Sequence, residues 1–150
     1  MQRITVDPRA PALGRHEAVV NAPIDVVWRV LSDFEHWPEW NTSVSRIELD
    51  GPARVGTTFE WSAGSSRIVS RIEEVDPPTR LAWSGKMAGI RAIHVWELSR
   101  HGSGTRVRTE ESFQGWIVKL LAGPMRKVLA KALAQGVGDL AKEAERRARG

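Results

Sequence analysis

The chain has 150 residues, enough for one domain to bury a core of its own. Its 22 basic and 18 acidic side chains leave a net charge of +4, and it has no cysteine, which excludes disulfides, thiolate nucleophiles and cysteine-bound zinc. The arginines are scattered, apart from a dense group at Arg146, Arg147 and Arg149 at the end of a helical pattern. Cations are favoured there by the helix dipole, so no nucleic-acid partner is expected.

Residues 1–13 contain Pro8 and Pro11 and predict a loose N-terminal arm. They hold no apolar centre of a secretion signal, and no run is long enough to cross a bilayer. A soluble, cytoplasmic protein without integral membrane association is expected. His16 to Val20 reads as a strand ending at Asn21, a candidate cap. Pro23 falls in the first turn of a helix, where its missing N–H is harmless, and Asp25 suits the same end. Ile24, Val27, Trp28 and Leu31 form the apolar stripe of that helix. Ser32 or Asp33 can cap a second short helix, which Pro38 is expected to break, leaving Trp37 and Trp40 near its end.

From Val44 the apolar period changes to two. Ile47 and Leu49 share a face before the Asp50-Gly51-Pro52 turn, then Thr57, Phe59 and Trp61 share the next. Ala63-Gly64-Ser65 turns the chain, Ile68, Ser70 and Ile72 follow, and Asp76-Pro77-Pro78 ends that strand. Leu81 and Trp83, the Ala88-Gly89 turn, then Ala92, His94, Trp96 and Leu98 continue the pattern. After His101-Gly102-Ser103-Gly104 come Val107, Thr109, Glu111 and Phe113. Short turns between these strands favour an antiparallel meander.

From Trp116 the period is helical again. A short segment broken at Gly123-Pro124 precedes a long helix with Val128, Ala132, Gly136, Leu140 and Ala144 in one row, flanked by Met125, Leu129, Leu133 and Val137. Glycine inside a helix costs about 1 kcal/mol relative to alanine, so at Gly136 either a neighbour packs closely or space is left for a ligand. The elements predict a single α+β domain over 1–150: a curved antiparallel sheet of six to seven strands around a long C-terminal helix, with two short helices after strand 1. Seven tryptophans and no tyrosine suggest large apolar surfaces inside it.

Counting back from the four-residue turn at 101–104 sets Arg100 opposite Thr105, Leu98 opposite Val107, Trp96 opposite Thr109 and His94 opposite Glu111. Opposed residues have Cβ atoms about 5 Å apart, so His94 and Glu111 form a candidate acid–base pair on the inward face. The alternatives are polar contacts to a ligand, or a pair that merely satisfies itself in a core. Phe59, Trp61, Trp83 and Trp96 share the inward parity and form a candidate ligand wall, with Thr109, Phe113 and Gly136 added by position; ordinary core packing is the competing reading. His16, His36, His94 and His101 share no ligand spacing, so no metal site is expected. There is no phosphate-binding glycine loop and no nucleophile elbow.

Ala22-Pro23 through Val30, with Asp33, Phe34, Trp37, Pro38 and Trp40, carry a family resemblance. Val75-Asp76-Pro77-Pro78 before Leu81, His94 to Leu98, and Gly104 to Gly115 add to it. Over about residues 14–145 the chain resembles the START-like (Bet v 1-like, SRPBCC) superfamily, in its polyketide cyclase/dehydrase-like branch. The resemblance implies a helix-grip fold, and Trp28, Trp37 and Trp40 at the entrance end of a chamber. Many relatives bind hydrophobic ligands; a minority cyclise or dehydrate polyketides; some act as co-chaperone-like interaction modules. Fold alone does not choose among these. Binding of a small hydrophobic molecule (a lipid, polyketide or aromatic metabolite) is the leading expectation, without a cofactor. A cyclase or dehydratase using His94 and Glu111 is the second. An interaction module, which a large exposed apolar patch would favour, is the third, and a homodimer stays open.

Overall fold

In a computed structural model, which describes residues 3–150, the alternating segments form seven strands. They are β1 (Ala12–Val20), β2 (Val44–Leu49), β3 (Thr58–Ala63), β4 (Ser66–Asp76), β5 (Arg80–Met87), β6 (Ile90–His101) and β7 (Gly104–Gln114). The helices are α1 (Ile24–Ser32), α2 (Trp37–Trp40), α3 (Trp116–Leu120) and α4 (Ala122–Arg149), with a 3-10 turn at Phe34–His36. The sheet order is β1-β7-β6-β5-β4-β3-β2, antiparallel throughout. Strands β2 to β7 are hairpin neighbours, as their short turns require, and β1 completes the sheet beside β7.

The first strand begins at Ala12, four residues before its expected start. Ala12 and Gly14 pair with Phe113 and Glu111 of β7, so a long partner strand extends one that local pattern shows only from His16. Ahead of β1, Ile4 and Val6 make specific contacts. The Ile4 N–H donates to Glu74 Oε1 at 3.2 Å, the Arg80 guanidinium donates to the Ile4 carbonyl at 2.7 Å, and Val6 packs on Ala82 and Val95. All of this lies on the outer face of the sheet. A bulge between Ile72 and Glu74 turns Ile72 inward and Glu74 outward, where Glu74 pairs with Arg80 under the arm.

Pro23 caps α1 from outside rather than sitting within its first turn, its carbonyl accepting from the N–H groups of Val26 and Val27. Pro38 does not end a helix. It occupies the opening turn of α2, a position that needs no proline N–H. Asp33 makes no capping bond; its carboxylate instead meets His36 Nδ1 at 2.8 Å. The final helical segment breaks at Leu121, ahead of Gly123-Pro124, and Pro124 lies in the first turn of α4.

Helix α4 lies across the concave face of the sheet, burying Leu129, Leu133, Val137, Leu140 and Ala144. At Gly14 a Cβ would come within 2.9 Å of Leu129 Cγ and of Leu133 Cδ1, so the missing side chain is what lets helix and strand approach. The main core joins α1, α2, all seven strands and the C-terminal half of α4. A second cluster, around Phe113, Val118, Leu129 and Leu133, closes the other end. Between them the sheet curves away from the helix and leaves a cavity.

Candidate functional site

The cavity has a volume of about 290 Å³ and a mostly apolar wall. Strands β3, β5, β6 and β7 contribute Trp61, Trp83, Trp96 and Phe113. The segment α1–α2 adds Leu31, Trp37 and Trp40, and α4 adds Met125, Val128, Ala132, Leu133 and Gly136. A Cβ on Gly136 would meet the Trp96 ring at 3.8 Å, so glycine keeps the helix side of the chamber open above that indole. Polar atoms in the wall come from Asn41, Ser43, Ser66, Ser70, His94 and Glu111.

The aromatic wall is continuous. Trp37 stacks on Phe34 with centroids 4.5 Å apart and meets Trp83 at 5.1 Å and Trp61 at 6.0 Å; such pairs add about 0.5–1.5 kcal/mol beyond area burial. Trp37 Nε1 donates to the Leu31 carbonyl and Trp61 Nε1 to Ser70 Oγ, at 2.9 and 3.0 Å. Phe59 is 1% exposed and belongs to the core behind this wall, against Phe34 and Trp37. Trp28 is half-buried on α1 and does not line the cavity.

The register of β6 and β7 places His94 opposite Glu111, Trp96 opposite Thr109, Leu98 opposite Val107 and Arg100 opposite Thr105. Thr109 faces the imidazole rather than the cavity. Its hydroxyl donates to the Val95 carbonyl at 3.0 Å and lies 2.8 Å from His94 Nε2. A hydroxyl has one proton, so with that proton given to Val95 it accepts from His94 Nε2–H. The other ring nitrogen, Nδ1, then carries a lone pair, and it faces Glu111 Oε2 at 3.5 Å.

Both groups are nearly removed from water. Burial lowers the His94 pKa from 6.5 to about 3 and raises that of Glu111 from 4.5 to about 8. At neutral pH the pair is therefore a carboxylic acid facing an uncharged imidazole, not an ion pair, since desolvation penalises either charge. Among the described residues four buried side-chain nitrogens lack a partner, and three belong to cavity residues: Trp40 Nε1, His94 Nδ1 and Trp96 Nε1. Each unsatisfied group costs about 1–3 kcal/mol, a cost concentrated around the cavity.

The rim was not legible from strand parity. Asn41 and Ser43 belong to the α2–β2 loop, which is latched to α4: the Thr42 N–H and hydroxyl both donate to Asp139 Oδ2 at 2.8 Å, and Gln135 Nε2 donates to Thr42 Oγ1 at 2.8 Å. Of the residues expected to meet a ligand, Trp61, Trp83, Trp96, Phe113 and Gly136 line the cavity with His94 and Glu111. Phe59 and Thr109 stand behind it. No group of three or more His, Asp or Glu side chains suited to a metal occurs among the described residues. No described helix is long and apolar enough to cross a membrane.

Comparison with known proteins agrees with this architecture. A protein of Streptomyces cyaneus, provisionally named a polyketide cyclase, is 27% identical over 109 residues, covering 65% of this chain and 70% of its own. The crystal structure of the Zhui aromatase/cyclase from a Streptomyces species superposes with a TM-score of 0.79 at 17% identity, covering 90% of this chain and 94% of that one. A START superfamily protein from Mycobacterium smegmatis aligns with a TM-score of 0.64 at 15% identity, over 84% and 97% of the two chains. These structural likenesses speak for the fold. The family model described as polyketide cyclase / dehydrase and lipid transport matches residues 13–145, and the chain belongs to that family.

Proposed function

We propose that the protein binds a small, flat hydrophobic molecule, a polyketide-like or other aromatic metabolite, in the cavity between the sheet and α4. The observation that carries this reading is the chamber of about 290 Å³ walled by Trp37, Trp40, Trp61, Trp83 and Trp96. That volume is at the small end of the range for ligand sites, which favours a compact ring system over a two-chain lipid. Indole faces stack on planar ligands, and the neutral Glu111 acid and Ser70 hydroxyl supply donors for carbonyl or phenolic oxygens. Thermal-shift measurements against planar quinones, aromatic polyketides and fatty acids test it: a rise in Tm with the planar compounds is expected, and no stabilisation by any would overturn it.

A second reading, dehydration or cyclisation, is favoured by the His94–Glu111 geometry. In a dehydration His94 Nδ1 would take a proton from the carbon beside a ligand carbonyl as the new C=C bond forms. The C–O bond breaks, and the departing hydroxyl leaves as water with the Glu111 proton. Proton return from His94 to Glu111 resets the pair. The pKa values weigh against His94 as a strong base, because about 3 is far below neutrality. Glu111, at about 8, is matched to proton donation near pH 7. Turnover of a β-hydroxy polyketide that is lost in Glu111→Gln would support this reading; unchanged turnover in that variant would remove it.

A further inference from the structure

Four large apolar side chains near the start of α4 face solvent. Trp116 is 68% exposed, Leu120 74%, Leu121 44% and Val128 57%. Trp116 and Leu120 belong to α3, and Leu121, Met125 and Val128 follow at helical spacing on one side of the chain. Met125 and Val128 also line the cavity, so this apolar stripe is continuous with the cavity wall. Met125 packs against the core cluster of Val118, Leu129 and Leu133, whereas Trp116, Leu120, Leu121 and Val128 are exposed, and exposed apolar groups in such a row mark an interaction surface.

The stripe's own segment is charged with one sign, although Asp7 stands with Arg9 and Arg91 near Trp116 and Lys119. From Gly115 to Gly138 the chain carries Lys119, Arg126, Lys127 and Lys131 and no carboxylate. Lys119, Arg126, Lys127 and Lys131 are all exposed. Arg126 gives one N–H to the Pro11 carbonyl at 3.0 Å and keeps its charge. Three of the four cations are lysines, which specific protein interfaces disfavour and which suit a diffuse anionic surface. Protruding Trp and Leu side chains among lysines are the composition of a helix that lies in a membrane interface.

We infer that the exposed face formed by Trp116, Leu120, Leu121 and Val128, with its rim of Lys119, Lys127 and Lys131, docks on an anionic lipid bilayer. Docking sets the Met125–Val128 side of the cavity against the acyl layer, so that an apolar molecule passes between bilayer and chamber without crossing water. The association is peripheral: no described helix can span a bilayer. It goes beyond the binding reading and does not depend on which molecule fills the cavity.

Flotation of the full chain with phosphatidylcholine vesicles, with and without 30 mol% phosphatidylglycerol (a composition of about one anionic lipid in three), tests this. The protein is expected to float with the anionic vesicles at low salt and to remain behind with neutral ones. Reversing two charges (Lys127→Glu with Lys131→Glu) is expected to weaken flotation by about tenfold or more. Trp116→Ser with Leu120→Ser should weaken it comparably, and because both side chains are exposed the fold is expected to survive, which circular dichroism checks. Absence of flotation with anionic vesicles overturns the inference. So does flotation that neither pair of substitutions changes, or loss in these variants of binding to an acidic protein that the wild type captures without any vesicle binding.

Discussion

Glu111 Oε2 lies 3.5 Å from His94 Nδ1 across the β6–β7 ladder, and burial leaves both groups uncharged at neutral pH. The hydroxyl of Thr109 holds the imidazole proton on Nε2, which turns the lone pair of Nδ1 toward the carboxyl group. An acid and a base are thus held apart in the wall of an apolar chamber.

Stability is expected to follow this pair. The folded chain keeps a proton on Glu111 that the unfolded chain releases above 4.5, so that contribution is complete below 4.5 and lost as pH rises to about 8. The unfolded chain takes up a proton on His94 that the folded chain refuses, so that contribution is complete above 6.5 and lost as pH falls to about 3. Between 4.5 and 6.5 the two slopes cancel. Above that window Glu111 acts alone, and a loss on the order of 2 kcal/mol by the alkaline end is expected. Urea denaturation across pH checks this: Glu111→Gln should flatten the alkaline limb, and an unchanged limb would contradict the assignment.

Thr109→Val removes the acceptor of the buried His94 Nε2–H and should destabilise the fold by about 1–3 kcal/mol. It also releases the tautomer. Nitrogen chemical shifts of the His94 ring are expected to show an Nε2–H imidazole in the wild type and a mixture in the variant. An identical tautomer in both would mean that Thr109 is not what sets it.

The pairing of His94 with Glu111 was legible because a short hairpin counts its own register, and the turn at His101 to Gly104 was marked by glycines. Inward parity likewise identified Trp61, Trp83 and Trp96. Parity does not distinguish a cavity wall from the layer behind it, which is why Phe59 and Thr109 face other protein groups. The Asn41 and Ser43 rim depends on Thr42 meeting Asp139 and Gln135 across 97 and 93 positions of sequence. Local pattern carries no trace of such a contact. The start of β1 escaped for a related reason, since Pro8 and Pro11 read as breaks while the β7 partner pulls Ala12 into the sheet.

Gly136 separates helix stability from cavity volume. Gly136→Ala adds a Cβ at ordinary contact distance, 3.8 Å from Trp96, and should raise stability by about 0.5–1 kcal/mol. Gly136→Phe places a ring in the chamber and should abolish ligand binding. Chemical denaturation and ligand titration of both variants check this; undiminished binding in Gly136→Phe would locate the ligand elsewhere.

Arg80 and Glu74 form an ion pair with each side chain 5% exposed. Arg80→Ala strands a buried carboxylate and should cost about 3–5 kcal/mol. The double change Glu74→Leu with Arg80→Met removes both charges and should cost much less. Equal losses in the two variants, measured by denaturation, would show that the contact of Arg80 with the Ile4 carbonyl matters more than the charge pair.

The tryptophan-walled chamber is expected to hold a planar apolar molecule. Titration with a soluble anthraquinone, followed through the assigned indole N–H resonances, reads out that binding at each ring. Saturable shifts at Trp40, Trp61, Trp83 and Trp96, with Trp28 and Trp116 unmoved, are the expected result. Shifts confined to Trp28 and Trp116, or none at any concentration, would contradict it.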